Sequence, residues 1–246
     1  MSRFIFLLTL LFISAFAQAS CEDAPAPGVI WRDCDKRGID LQGVDLRGAI
    51  LTRSDFSEAN LRGARLDRAD LNFVRLNKAQ MQQAHLSNAR LTGAHLQQTD
   101  LSEALLDGAR FDRAELTQAN LKGAQLSNAS FYQATLKQAD LSEANLSHAE
   151  LRQARLQQAK LDGCQLPHAN LLQADLENAT LIAANLQQAR LDKANLQYAD
   201  LRNADLSRAS LVEARLFETS FEGAKLGGAM WIDRKRCRPG SVGSCE

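Results

Sequence analysis

The stretch Ala114-Glu115-Leu116-Thr117-Gln118-Ala119-Asn120-Leu121-Lys122-Gly123-Ala124-Gln125-Leu126 decides the fold. Leu returns in it every fifth residue, and Ala stands two residues before each Leu. The same register runs outward in both directions. From Leu41 to Leu226 every fifth residue is apolar, 38 positions in all, of which 33 are Leu. The others are Phe56, Met81, Phe111, Phe131 and Phe221. The site two before is Ala at 31 of these 38 units, with Ile39, Val44, Ser54, Val74, Thr99, Cys164 and Thr219 as the exceptions.

A period of five excludes the ordinary elements. In an α-helix five residues advance about 140° beyond a full turn, so the Leu column would scatter over every face. In a flat strand an odd period sends alternate Leu side chains to opposite faces. The chain must therefore turn within every five residues, always in the same sense. A small residue and a Leu at i and i+2 share a face of a short extended piece. The remaining three sites are filled mainly by polar residues and Gly. Asp or Asn precedes the central residue 15 times, and Gly stands two after it 9 times, both turn-forming choices. Such a chain is a solenoid whose coils hydrogen-bond to one another at about 4.8 Å spacing. Its corners per coil do not follow from the period. Phe111 and Phe131, 20 residues apart, hint at 20 residues per coil, as do tetrads repeated 40 apart, such as Leu86-Ser87-Asn88-Ala89 and Leu126-Ser127-Asn128-Ala129. The Leu-Arg-Gly-Ala tetrads at Leu46 and Leu61 disagree.

Units such as Ala59-Asn60-Leu61-Arg62-Gly63 and Ala119-Asn120-Leu121-Lys122-Gly123 resemble the A(D/N)LXX motif of the pentapeptide-repeat proteins. The resemblance covers about three quarters of the chain. It implies an all-β fold, a right-handed quadrilateral β-helix with four units per coil and the Leu and Ala columns inside. At four units per coil, 38 units make about nine and a half coils, a rod roughly 45 Å long at ~4.8 Å per coil. The flanks, Gly28-Val29-Ile30-Trp31 with Cys34 and Trp231-Ile232-Asp233 running to Cys245, look like those of exported members. The expected organisation is a signal peptide over 1–19, an N-terminal cap over 20–38, the β-helix over 39–228 and a C-terminal cap over 229–246. Trp231 keeps the register as a further inward residue. Caps answer the open ends of a stacked rod, which would otherwise recruit another chain.

The leader is read from its own residues. Arg3 supplies a positive start, Phe4 to Phe16 is an uncharged apolar run, and Ala17-Gln18-Ala19 has the shape a signal peptidase cuts after. Lipidation at Cys21 is the competing reading, but it wants an aliphatic residue where Gln18 stands. The expected location is periplasmic or extracellular, with no stable membrane insertion of the mature chain. An oxidising compartment permits disulfides among Cys21, Cys34, Cys164, Cys237 and Cys245. Local pairing of Cys21 with Cys34 and of Cys237 with Cys245 is the economical arrangement, although sequence alone does not fix connectivity. Zinc is the rival, yet neither pair has a CxxC spacing or a nearby His.

Little in the chain points to chemistry. It contains no GxSxG, HExxH, GxxxxGK[ST] or GxGxxG motif. His148 and His168, 20 apart, would stack on adjacent coils and could form a metal or pH-sensing pair. Two exposed side chains in a variable column is the plainer reading. Cys164 takes an inward Ala site, where a thiol acts as a small hydrophobe. No catalytic, cofactor or metal residue is therefore assigned, and the protein is expected not to be an enzyme. Asn128, Asn145 and Asn178 open N-x-S/T triplets that the repeat alphabet generates by itself, and the basic cluster Arg234-Lys235-Arg236 with Arg238 suits a solvated cap.

Charge narrows the partners. Lys plus Arg equals Asp plus Glu at 29 each, so no bulk positive field draws nucleic acid. Sorted onto four faces from the Leu41 column, the outward residues sum to −4, +1, +2 and −1. One face carries the apolar residues Ile50, Phe73, Tyr132, Leu172 and Val212. The last three fall in one column with Arg152 and Asp192 between them, and are the candidate docking residues. The expected function is an exported, non-enzymatic scaffold or protein-interaction module with an unidentified protein partner. The alternative, a DNA-mimic that binds topoisomerase, is a role the resemblance offers; the leader and the nearly neutral faces oppose it. A hydrolase or metal enzyme built on His148 and His168 is the third class.

Overall fold

The computed structural model describes residues 21–246. The signal-peptide expectation over 1–19 lies outside the described residues.

Each residue preceding a central Leu forms a parallel bridge with the residue 20 further on, from Ile30 with Ile50 to Ser210 with Met230. Four pentapeptides thus close one coil, and the cross-section is square. The backbone explains why five residues suffice for a side. Around Leu121, the Leu121 N–H donates to the Asp140 carbonyl at 2.7 Å and the Gly123 N–H to the Ser142 carbonyl at 3.0 Å. Both point to the following coil. The Asn120 N–H points back, to the Thr99 carbonyl at 2.9 Å. The Ala124 N–H closes the corner by donating to the Leu121 carbonyl three residues before, at 3.0 Å. The third residue of each corner has a positive φ, as a type II turn demands. Gly meets that demand at Gly123 with φ 68°, but Gln118 adopts 60° and Arg113 58° in equivalent corners.

One amide per unit is left over, that of the residue after the central Leu. The Asp or Asn two residues before supplies its acceptor. The Ser142 N–H donates to Asp140 Oδ1 at 3.0 Å, and the Lys122 N–H to Asn120 Oδ1 at 3.1 Å. This is the Asx-turn chemistry that favours these two side chains at that site. In some units without Asp or Asn there, a side chain one coil earlier substitutes: Asn77 Oδ1 accepts the Gln97 N–H at 3.1 Å and Asp162 Oδ1 the Ile182 N–H at 2.9 Å.

The core is a continuous file of Leu and Ala, with Phe111 and Phe131 stacked parallel at 4.9 Å between ring centroids. Polar exceptions are satisfied internally. The Thr99 hydroxyl donates to the Leu76 carbonyl, and the Ser54 hydroxyl donates to the Trp31 carbonyl while accepting the Cys34 N–H. The register also runs on before residue 39: Trp31 occupies a central site and Val29 and Cys34 occupy small sites, all buried. At the other end Trp231 is only half-buried and packs against Phe221 at 5.5 Å. After it the chain doubles back, so that Arg236 pairs antiparallel with Met230 and Val242 with Lys225.

Candidate interaction surfaces

Because every coil repeats the one below, side chains 20 residues apart stand in columns. Tyr132, Arg152, Leu172, Asp192 and Val212 do so, as the four-sided register requires. Tyr132, Leu172 and Val212 are half-buried rather than fully exposed, and the Arg152 guanidinium lies 4.7 Å over the Tyr132 ring. Ile50 is half-buried too. Phe73, on the same face, is exposed at 58%; its ring packs against Gly93, where a Cβ would sit 2.7 Å from two ring carbons.

The structure adds a pair that the column argument missed. Tyr198 and Phe217 are exposed at 46% and 57%, and their rings meet edge-on at 5.5 Å. They belong to neighbouring columns on successive coils. Sorting residues by steps of 20 alone hides such a diagonal; steps of 19 reveal it, because the Tyr198 N–H donates to the Phe217 carbonyl.

Two amide ladders run along the rod. Gln98, Gln118, Gln138 and Gln158 pass hydrogen bonds from coil to coil at 3.0, 2.9 and 2.8 Å. Gln133, Gln153 and Gln173 form a second, at 2.9 and 3.0 Å. All seven occupy the positive-φ corner site, which aims each side chain like its neighbour. His148 and His168 obey the same rule: exposed, parallel to within 3° and 4.8 Å apart. No cluster of three or more His, Cys, Asp or Glu poised for a metal occurs among the described residues.

Electrostatics is local. Side-chain hydrogen bonds from Arg37 and Arg47 hold Asp35 and Asp45 down to about 2 each. Their distances are 2.5 Å and 2.6 Å, and both pairs are solvent-exposed. Cys164 is fully buried; its thiol donates to the Ala144 carbonyl at 3.2 Å, and burial pushes it far above the usual thiol range. An inert structural role follows. The sulfurs of Cys21 and Cys34, and of Cys237 and Cys245, lie at bonding distance. No helix among the described residues is long and apolar enough to cross a membrane.

The Pentapeptide repeats family matches residues 39–229 in eight overlapping copies. Among solved structures, the chain is 34% identical to HetL, a pentapeptide repeat protein involved in heterocyst differentiation regulation in Nostoc sp. strain PCC 7120, over 81% of this chain and 92% of that one, with a TM-score of 0.33. It is 31% identical to a pentapeptide repeat protein of the Arabidopsis thaliana thylakoid lumen, over 42% of this chain and 68% of that one, at a TM-score of 0.34. QnrB1, a plasmid-mediated fluoroquinolone resistance protein, is 16% identical over 71% of this chain and 93% of that one, at 0.36. No curated protein matches the chain. The 20-residue coils, the Leu and Ala columns and the family match over most of the length agree, and the chain belongs to the pentapeptide-repeat family, whose fold is a right-handed quadrilateral β-helix.

Proposed function

We propose that the protein is an exported, non-enzymatic scaffold, a rod of about nine and a half coils that presents flat lateral faces to protein partners. The observation that carries this reading is the unbroken column order. A core filled by Leu and Ala leaves only outward side chains to meet a partner, and these form continuous stripes such as the two Gln ladders. Export accounts for the cysteines: Cys21 with Cys34 and Cys237 with Cys245 are oxidised and staple the terminal segments as caps, while buried Cys164 stays reduced. The column of Tyr132, Leu172 and Val212 is the lateral docking candidate.

The test is cross-linking and affinity capture from the exported fraction, with protein lacking residues 1–19 as bait. A defined partner lost on Tyr132→Glu with Leu172→Glu supports the reading. Inhibition of a purified topoisomerase at comparable concentration, with no exported partner, replaces it with the DNA-mimic alternative.

A further inference from the structure

The basic cluster near the C-terminus separates, in the fold, into paired and unpaired cations. The Arg234 guanidinium reaches Glu213 at 2.7 Å and the Lys235 ammonium reaches Asp233 at 2.9 Å. Among the described residues, no carboxylate lies within ion-pair distance of Arg236. The antiparallel return that pairs Arg236 with Met230 carries it back beside the last units of the rod. There it lines a groove of about 370 Å³ together with Arg208, which also lacks a carboxylate partner. The Arg208 stem lies along Gly228, where a Cβ would sit 3.5 Å from Arg208 Cγ. Arg208 also lines a second groove, of about 360 Å³, with Gly227, Gly228 and Gly240.

Two backbone donors beside Arg208 are unused. The amide after a central residue depends on an Asp or Asn two before it, and for Gly227 that position is Lys225. Among the described residues, the Gly227 and Gly240 N–H groups have no acceptor. They are close together: a Cβ on Gly227 would sit 3.3 Å from the Gly240 nitrogen. No carboxylate among the described residues lines either groove. Asp192 and Asp205, the acids bonded to groove residues, accept from the Ser210 hydroxyl and from the Ser207 N–H and Gln187 amide.

We infer that this corner binds a phosphate group, held by the Arg208 and Arg236 guanidiniums and the Gly227 and Gly240 amides. Two guanidiniums sharing a groove repel until an anion sits between them. Their planar forks suit a tetrahedral oxyanion, and glycines let the backbone donors approach it. A phosphate monoester carries close to two negative charges near neutral pH, which matches two arginines; a carboxylate carries one. The inference goes beyond the scaffold reading, because it holds whichever protein the lateral faces take.

The probe is inorganic phosphate, titrated into the full mature chain at constant ionic strength. In nuclear magnetic resonance spectra the Gly227 and Gly240 amide signals should move together and saturate. Arg208→Gln and Arg236→Gln should each weaken binding by at least about tenfold. Arg208→Lys keeps the charge but not the fork, and should lose affinity too. Arg113→Gln, at an exposed and unpaired Arg many coils away, should change nothing. Circular dichroism should show every variant folded, since these side chains are exposed. Signals that drift without saturating overturn the inference, as does equal binding by the variant lacking both arginines. A second arm assigns the source of the phosphate. Sedimentation with vesicles of phosphatidic acid in phosphatidylcholine, lost in the double variant, supports a lipid headgroup; phosphate binding without vesicle binding supports a free phosphate.

Discussion

At the scale of the residue, the sites that look merely hydrophilic have assigned work. Asp140 stands in the column of solvent-facing acids, yet its Oδ1 takes the one amide its unit leaves without a backbone partner, that of Ser142. Asp140→Asn keeps an acceptor and should leave stability nearly unchanged. Asp140→Ala should lower it by about 1 kcal/mol in a denaturant titration, the usual worth of such a bond. Carboxylates held by Arg predict a pH response. The folded values of Asp35 and Asp45, about 2, lie below the ordinary aspartate value of 3.8. A lowered folded value means stabilisation that is complete above the unfolded value and is lost as pH falls through the folded one. Thermal melts should therefore hold steady down to about pH 4 and decline between about pH 4 and 2. Both acids are exposed, so the decline is modest and shrinks in high salt.

At the scale of the coil, stacking in register is what the sequence alone left open. The period of five was legible because Leu and Ala repeat without an interruption. The four corners were not, because a pentapeptide hydrogen-bonds equally well to any other; only coincidences such as Phe111 with Phe131 carry the 20-residue spacing. Those two rings lie parallel within 2°. A double-mutant cycle with Phe111→Leu and Phe131→Leu should give a coupling of about 0.5–1.5 kcal/mol, and Phe111→Leu with Leu206→Met, several coils away, should be additive. The docking candidates were legible only as a column. Their half-buried state was not, because it depends on Arg152 folding over Tyr132 and on side chains from neighbouring columns. The Tyr198 and Phe217 pair was hidden for the same reason: it crosses columns.

At the scale of the whole molecule, the rod is one-dimensional: each coil touches only its neighbours. Removing one full coil, residues 121–140, brings the Leu101 rung under the Leu141 rung with every column intact. That variant should remain folded, with a circular dichroism spectrum like the parent's and a small drop in melting temperature. Removing only 121–122 throws every later Leu out of its column and should unfold the C-terminal half. The same backbone order has an electrical consequence. In each unit two peptide groups aim their N–H toward the C-terminal end, as at Leu121 and Gly123, and one aims the other way, as at Asn120. The peptide dipoles do not cancel as they do across an ordinary sheet. One per unit survives, and they add along the axis with the positive pole at the C-terminus, opposite in sense to an α-helix. A chain with no net charge is thus still polar from end to end, and a charged partner meets a different field at each end of the rod.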